Sequence, residues 1–186
     1  TTLAQADSAL GGKTGVNVPA GKNLVGLFHP PVGVFLGLGL LQTLPTKEWR
    51  NGLAECLKHG LTSDAGYFEF LAKTPLKTFQ AGGEPLNRLV STSVRLKGEV
   101  VRVDPLEISG ARFLLNAGHT VAHAIEALSG WRVPHGAAVA SGLLLEAAAA
   151  SVEGWLSRSD LGEIQRAFAF HRFAQHWSGY TPEAVL

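Results

Sequence analysis

Three residues with metal-binding side chains stand far apart in the chain: Glu55 in Asn51-Gly-Leu-Ala-Glu55, His119 in Asn116-Ala-Gly-His119, and His135 in Pro134-His135-Gly136. Two neutral imidazoles and one carboxylate form a three-donor set that leaves a coordination position for water or substrate, the usual design of a catalytic divalent ion. The chain is therefore expected to perform chemistry. His119 and His123, four apart, share one face of a helix, and Glu55 and Lys58, three apart, share a face of another, so two helices would meet across a cleft. Thr120 stands where a His-Glu-x-x-His zinc peptidase carries its general base, which disfavours that chemistry. A plainer reading stays open, in which His119, like His29, His59, His171 and His176, is a packing residue with its hydrogen bonds satisfied.

The glycine-rich stretch from Gly11 to Asn23 invites a phosphate-binding reading but fails the P-loop test. Five residues separate Gly15 from Gly21 instead of four, and Asn23 follows Lys22 where Ser or Thr should hold magnesium. Backbone N–H groups freed by glycine, with Lys13, Lys22, Lys58, Lys97 and Arg112, still supply donors and positive charge for an anion, so an anionic substrate is expected. The alternative is a tight turn at Gly11-Gly12 with solvated lysines.

The elements that must position these residues change in texture near residue 45. Residues 1–45 are rich in glycine, proline and short apolar runs, Val32 to Leu36 reading as a strand. From residue 46 to 186, helical periodicity predicts helices over Lys47–His59, Ala65–Lys73, Pro85–Val101, Leu114–Ser129 and Gly136–Ser157, with a further one over Leu161–Trp177. Thr46 suits a helix cap and Gly60 a helix stop.

With 46% hydrophobic and 17% charged residues, the chain can bury a sizeable core, and its formal charge of +1 makes nucleic acid or a membrane surface an unexpected main partner. The single Cys56 excludes an internal disulfide and fits a reducing cytoplasm. The apolar stretches Val32 to Leu41 and Ala137 to Ala150 fall short of a membrane span. A chain without methionine that opens on Thr1-Thr2 is expected to be a fragment or to have lost methionines.

Six ordered motifs carry a resemblance. Asp7-Ser-Ala-Leu-Gly-Gly-Lys13-Thr-Gly-Val-Asn17, Gly21-Lys22-Asn23-Leu-Val-Gly26, Leu44-Pro45, Gly52-Leu-Ala-Glu55 with Lys58, Leu115-Asn116-x-Gly-His119-Thr-x-x-His123-Ala-Ile-Glu126, and His135-Gly136 together resemble 3-dehydroquinate synthase over residues 1 to about 142. The resemblance implies a mainly α fold: the helical C-terminal domain (46–186) of a two-domain α/β enzyme, preceded by a short glycine-rich strand and loop segment (1–45) lining the cofactor cleft. Most of the NAD-binding domain would lie in sequence other than this.

The same resemblance implies roles. Glu55, His119 and His135 would bind one divalent ion, zinc or cobalt, that grips substrate hydroxyls. Asp7, Lys58 and Asn23 would meet other hydroxyls, Lys13, Asn116 and His123 the phosphate, and Lys97 with Arg112 the carboxylate. Lys22, Thr43 and Glu48 would line the NAD site, and His123 would relay a proton. The implied reaction converts 3-deoxy-D-arabino-heptulosonate 7-phosphate to 3-dehydroquinate and phosphate in the shikimate pathway: oxidation by NAD, phosphate elimination, reduction and aldol closure. A cytoplasmic homodimer is implied as well.

Three departures bear on this. Ala137 stands where the family has Glu after His-Gly, which predicts a weaker outer shell around His135. The Lys97–Arg112 spacing is one residue long, and no C-terminal phosphate-binding lysine segment is evident. The alternatives are another sugar-phosphate cyclase, a metal-dependent polyol dehydrogenase, or a non-catalytic helical domain held by its metal.

Overall fold

Both candidate histidine ligands sit beside a glycine, and the packing shows why. A Cβ on Gly136 would lie 2.2 Å from the carbonyl oxygen of Asn51, and one on Gly142 would lie 2.0 Å from that of Gly118. Gly118 itself adopts a left-handed φ of 76°, which glycine reaches at little cost. These contacts press the helix carrying Glu55 and the two helices begun by His119 and His135 against one another.

The computed structural model describes residues 1–18 and 21–174. Its helices are α1 (Thr46–Ser63), α2 (Ala65–Lys73), α3 (Leu76–Gln80), α4 (Gly83–Val103), α5 (His119–Leu128), α6 (His135–Val152) and α7 (Arg158–Phe170). A π-turn at Ala4–Ser8 and 3-10 turns at Leu38–Leu41 and Ala111–Asn116 complete the helical parts. β1 (Val16–Val18) and β2 (Gly21–Val25) form an antiparallel hairpin, with Val16 opposite Val25 and Val18 opposite Gly21. Backbone bonds from Thr14 to Leu27 and from His29 to Gly12 continue the pairing toward Lys13.

Helix α1 is the hub. Every residue from Gly52 to Gly60 is buried, with α2, α6 and the Ala4–Ser8 turn packed around it. Trp49, Leu53, Leu57, Tyr67, Phe79, Ile125, Val139 and Phe168 fill the core between these helices. Helix α4 is amphipathic, burying Leu86, Leu89, Val90, Ser93, Leu96 and Lys97 along one side, as its 3.6-residue periodicity predicts.

Several expectations are corrected. Among the described residues Val32 to Leu36 has no strand partner: it is irregular, and Val32 and Phe35 are fully exposed. Pro45, not Thr46, is the cap position of α1, and Gly60 lies inside the helix, where a Cβ would come 2.8 Å from the backbone of Phe68 in α2. The single helix expected over Leu114–Ser129 breaks at Ala117-Gly118, so that α5 begins at His119. Helix α6 stops at Val152 and α7 at Phe170, and the rest of the expected Leu161–Trp177 helix falls partly on residues beyond the described ones. Among the described residues, α6 alone is long and apolar enough to cross a membrane, and half of it is buried against the other helices.

Candidate functional site

Helix α1 supplies Glu55 from its buried middle, while α5 and α6 each supply a histidine from their first residue. Ligand atoms of Glu55, His119 and His135 lie within 4.8 Å of one another. Nε2 of His135 is 3.0 Å and Nε2 of His119 3.5 Å from Glu55 Oε1. The opposite nitrogens are occupied: His119 Nδ1 lies 3.0 Å from the Ala117 carbonyl, and His135 Nδ1 3.4 Å from Glu126 Oε1. A ring that donates through Nδ1 turns its Nε2 lone pair outward, so both imidazoles offer lone pairs to the point where the carboxylate also aims. The donor set fits a divalent ion.

Charge at this point is tightly coupled. Burial works against ionising Glu55, but Lys58, with His119 and His135, holds its carboxyl well below the usual range. Burial also opposes charging His135, yet Glu126 and Glu55 outweigh it and push the imidazole up to about 9. A cation therefore belongs in this position, whether as imidazolium or as metal. The Lys58 ammonium pairs with Glu55 Oε2 and donates to the Leu115 carbonyl at 2.7 Å.

A second cluster abuts the first. Asp7 Oδ1 lies 3.1 Å from His59 Nε2 and 2.8 Å from Lys97 Nζ, and Lys97 also donates to the Asp7 carbonyl at 2.8 Å. Asp7, Glu55 and His59 bring ligand atoms equally close together, but ammonium groups touch both carboxylates and oppose a second cation there.

A third grouping lies where the hairpin meets the turn after α4. The Asp104 carboxylate accepts from the N–H groups of Ile108 at 2.8 Å, Ser109 at 3.2 Å and Arg112 at 3.4 Å, shaping this turn. Within it Glu107 reaches Lys13 by an ion pair and accepts from Asn116 Nδ2 at 3.1 Å. Arg112, buried, donates to the carbonyls of Pro105 at 2.9 Å and Gly11 at 3.4 Å. Phe28 lies against both cations, 5.9 Å from Lys13 Nζ and 5.8 Å from the Arg112 guanidinium carbon.

Glu55, His119, His135 and Lys58 converge, and His123 packs its ring against His119 at 5.6 Å. Lys13 and Asn116 converge through Glu107, whereas Lys97 and Arg112 are engaged in separate groupings. Thr43 and Glu48 flank the start of α1 and make no ion pair with the histidine cluster among the described residues. The side chains of Lys22 and Asn23 lie outside the described part of the structure. Three participants escaped the sequence reading. His59 holds Asp7 instead of merely packing, Glu126 supports His135, and Glu107 joins Lys13 to Asn116. Spacing could have found Glu126, which is seven residues after His119 and so on its face of α5. The outer shell of His135 is thus present despite Ala137, which faces Lys47, Arg50 and Arg172 around a cavity of about 160 Å³.

Fold and site together define a class: a helical domain built around an open three-donor site able to hold a divalent ion. Residues 52–185 match the family described as 3-dehydroquinate synthase C-terminal, and residues 1–51 match 3-dehydroquinate synthase N-terminal. The chain belongs to the 3-dehydroquinate synthase family. It is 43% identical to the 3-dehydroquinate synthase of Opitutus terrae, with 92% of this chain and 48% of that protein aligned. Against the enzyme of Pseudoalteromonas atlantica it is 42% identical over 91% of this chain and 47% of the other. The chain thus spans about half the length of the curated relatives it matches. Its structure matches a 2-epi-5-epi-valiolone synthase from Streptomyces hygroscopicus subsp. jinggangensis, solved with NAD+ and Zn2+, at a TM-score of 0.92 and 26% identity, covering 100% of this chain and 52% of the other. A 2-deoxy-scyllo-inosose synthase complexed with carbaglucose-6-phosphate, NAD+ and Co2+ matches at 0.83 and 26%, covering 100% and 50%.

Proposed function

We propose that this chain is the metal- and substrate-binding half of a 3-dehydroquinate synthase, which converts 3-deoxy-D-arabino-heptulosonate 7-phosphate to 3-dehydroquinate and phosphate. The observation that carries the reading is the convergence of Glu55 Oε1 with two imidazole Nε2 atoms whose other nitrogens are already held. Residues 46–186 would form the catalytic domain, and residues 1–45 would reach into the cleft toward a second, NAD-binding domain. Zinc or cobalt held by Glu55, His119 and His135 would supply a Lewis acid, and NAD a reversible hydride acceptor.

The chain's own residues do the rest. Asp7, Lys58 and Asn23 orient the substrate hydroxyls, with Asp7 kept ionised by His59 and Lys97. Lys13, Asn116 and His123 hold the phosphoryl group close to the carbon that loses a proton, and His123 accepts or returns a proton during elimination. Lys97 and Arg112 would bind the carboxylate, and Lys22, Thr43 and Glu48 would line the NAD site. The same reading carries a cytoplasmic homodimer.

Relatives at 42 to 43% identity bear the dehydroquinate synthase name, while the cyclases among the solved structures stand at 26%, which favours the former substrate. The test is phosphate release by the full-length protein with NAD and zinc or cobalt. It should release phosphate from 3-deoxy-D-arabino-heptulosonate 7-phosphate but not from glucose 6-phosphate or sedoheptulose 7-phosphate. Release from a sugar phosphate lacking a carboxylate, with none from the heptulosonate, overturns the assignment.

A further inference from the structure

Three cations with no part in the roles above line one cavity of about 160 Å³. Lys47 and Arg50 come from the first turns of α1 and Arg172 from the turn that ends α7, with Asn51, Ala137 and Phe173 among the other walls. The lining holds no carboxylate, and none of the three cations forms an ion pair among the described residues. The volume is several times the roughly 30 Å³ that a water molecule takes up in the liquid, so it admits a tetrahedral oxyanion with water beside it.

Arg172 shows that the arrangement is specific. Helix α7 ends in a Schellman turn, in which Phe173 N donates to the Phe168 carbonyl at 3.1 Å and Arg172 N to the Ala169 carbonyl at 2.9 Å. The residue at the bend takes a left-handed φ, here 59°, and glycine is its usual occupant. An arginine kept in that conformation points to a task for its side chain. The ring of Phe173 packs 5.7 Å from that of Phe168 and fixes the turn, while Arg50 Nε donates to the His171 carbonyl at 3.2 Å, which anchors a second guanidinium one residue from Arg172. That bond uses one donor of Arg50 and leaves its two terminal nitrogens without an acceptor among the described residues. Solvent screens Lys47 and Arg172, which are exposed, but Arg50 is half-buried and is screened less.

We propose that this cavity binds a small dianionic oxyanion of the inorganic phosphate type, held by the guanidiniums of Arg50 and Arg172 with Lys47 at the rim, independently of the roles assigned to Lys13, Asn116 and His123. Planar guanidiniums present paired N–H donors that match the oxygens of such an anion, and two of them share its charge. Ala137 leaves the α6 side of the cavity open, because its side chain ends at Cβ. Asn51 accepts from the Gly136 N–H through Oδ1, so an anion seated here would tie the start of α1, the first turn of α6 and the end of α7 together behind the three-donor site.

The probe is inorganic phosphate, titrated by calorimetry into the full-length protein at constant ionic strength. Lys13→Ala is present throughout, to weaken phosphate binding at the proposed substrate end. This background protein should still bind phosphate. Adding Arg172→Gly should weaken that binding about tenfold, and adding Ala137→Glu, which tethers a competing carboxylate at the cavity wall, should weaken it at least as much. Glycine suits the left-handed turn, so the melting temperature of the Arg172→Gly protein in chloride should not fall, which separates lost binding from lost folding. Phosphate should raise the melting temperature of the background protein more than that of either double variant. Absence of phosphate binding in the Lys13→Ala protein, or an affinity unchanged by either added substitution, overturns the site.

Discussion

Asp7→Asn tests the buried charge arrangement directly. The Asp7 carboxyl is opposed by burial and by the negative charge of Glu55, yet the His59 hydrogen bond, Lys97 and Lys58 bring it from the usual 3.8 down to about 2. A folded value below the unfolded one means that the ionised carboxylate stabilises the fold above pH 3.8, and that this contribution is lost as pH falls toward 2. At about 1.4 kcal/mol per unit, the shift corresponds to about 2 kcal/mol at pH 7 and about 1 kcal/mol at pH 3. The Asn variant retains the shape and the backbone bond from Lys97 to the Asp7 carbonyl but leaves a buried ammonium without its anion, so about 2 kcal/mol is a lower figure. Urea denaturation of both proteins at pH 7, 5 and 3 reads the difference. A gap of at least about 2 kcal/mol at pH 7 that narrows by about 1 kcal/mol at pH 3 is expected. A gap that is the same at all three pH values would refute the charge argument and leave only lost packing.

Gly136→Ala should lower stability by about 1–3 kcal/mol, because its Cβ meets the Asn51 carbonyl, while Gly98→Ala, with open space in the middle of α4, should raise it by about 0.5–1 kcal/mol; thermal melts that move both the same way contradict the packing argument. Glu126→Gln should weaken zinc binding about 10–100-fold in a chelator competition, and unchanged affinity would show that His135 is oriented by something else. Cys56, whose thiol burial pushes up to about 12, should resist a disulfide reagent at pH 8 in the folded protein and react fully in denaturant.

Helix existence was legible because α2 and α4 keep an unbroken apolar stripe in sequence; Ala65–Lys73 matches its expected bounds. Glycines misled where they served packing. Gly60 looks like a helix stop, but it lies where α1 and α2 touch, and no local pattern distinguishes a cap from a close approach. Val32 to Leu36 has strand composition, but a strand requires a partner edge, which composition does not reveal. In the site, the histidines and Glu55 were recognisable by type and motif. Glu107 and His59 were not, because their partners Lys13 and Asp7 are distant in sequence and only the folded chain brings them together.

His119 and His135 are each the first residue of a helix, so the positive ends of α5 and α6 both open onto Glu55. Peptide dipoles have no proton to lose. That part of the field does not change with pH, so the negative charge of Glu55 is favoured in part by backbone alone. Substitutions of the histidines that leave the helix starts in place would remove ligands while preserving this support for the Glu55 carboxylate.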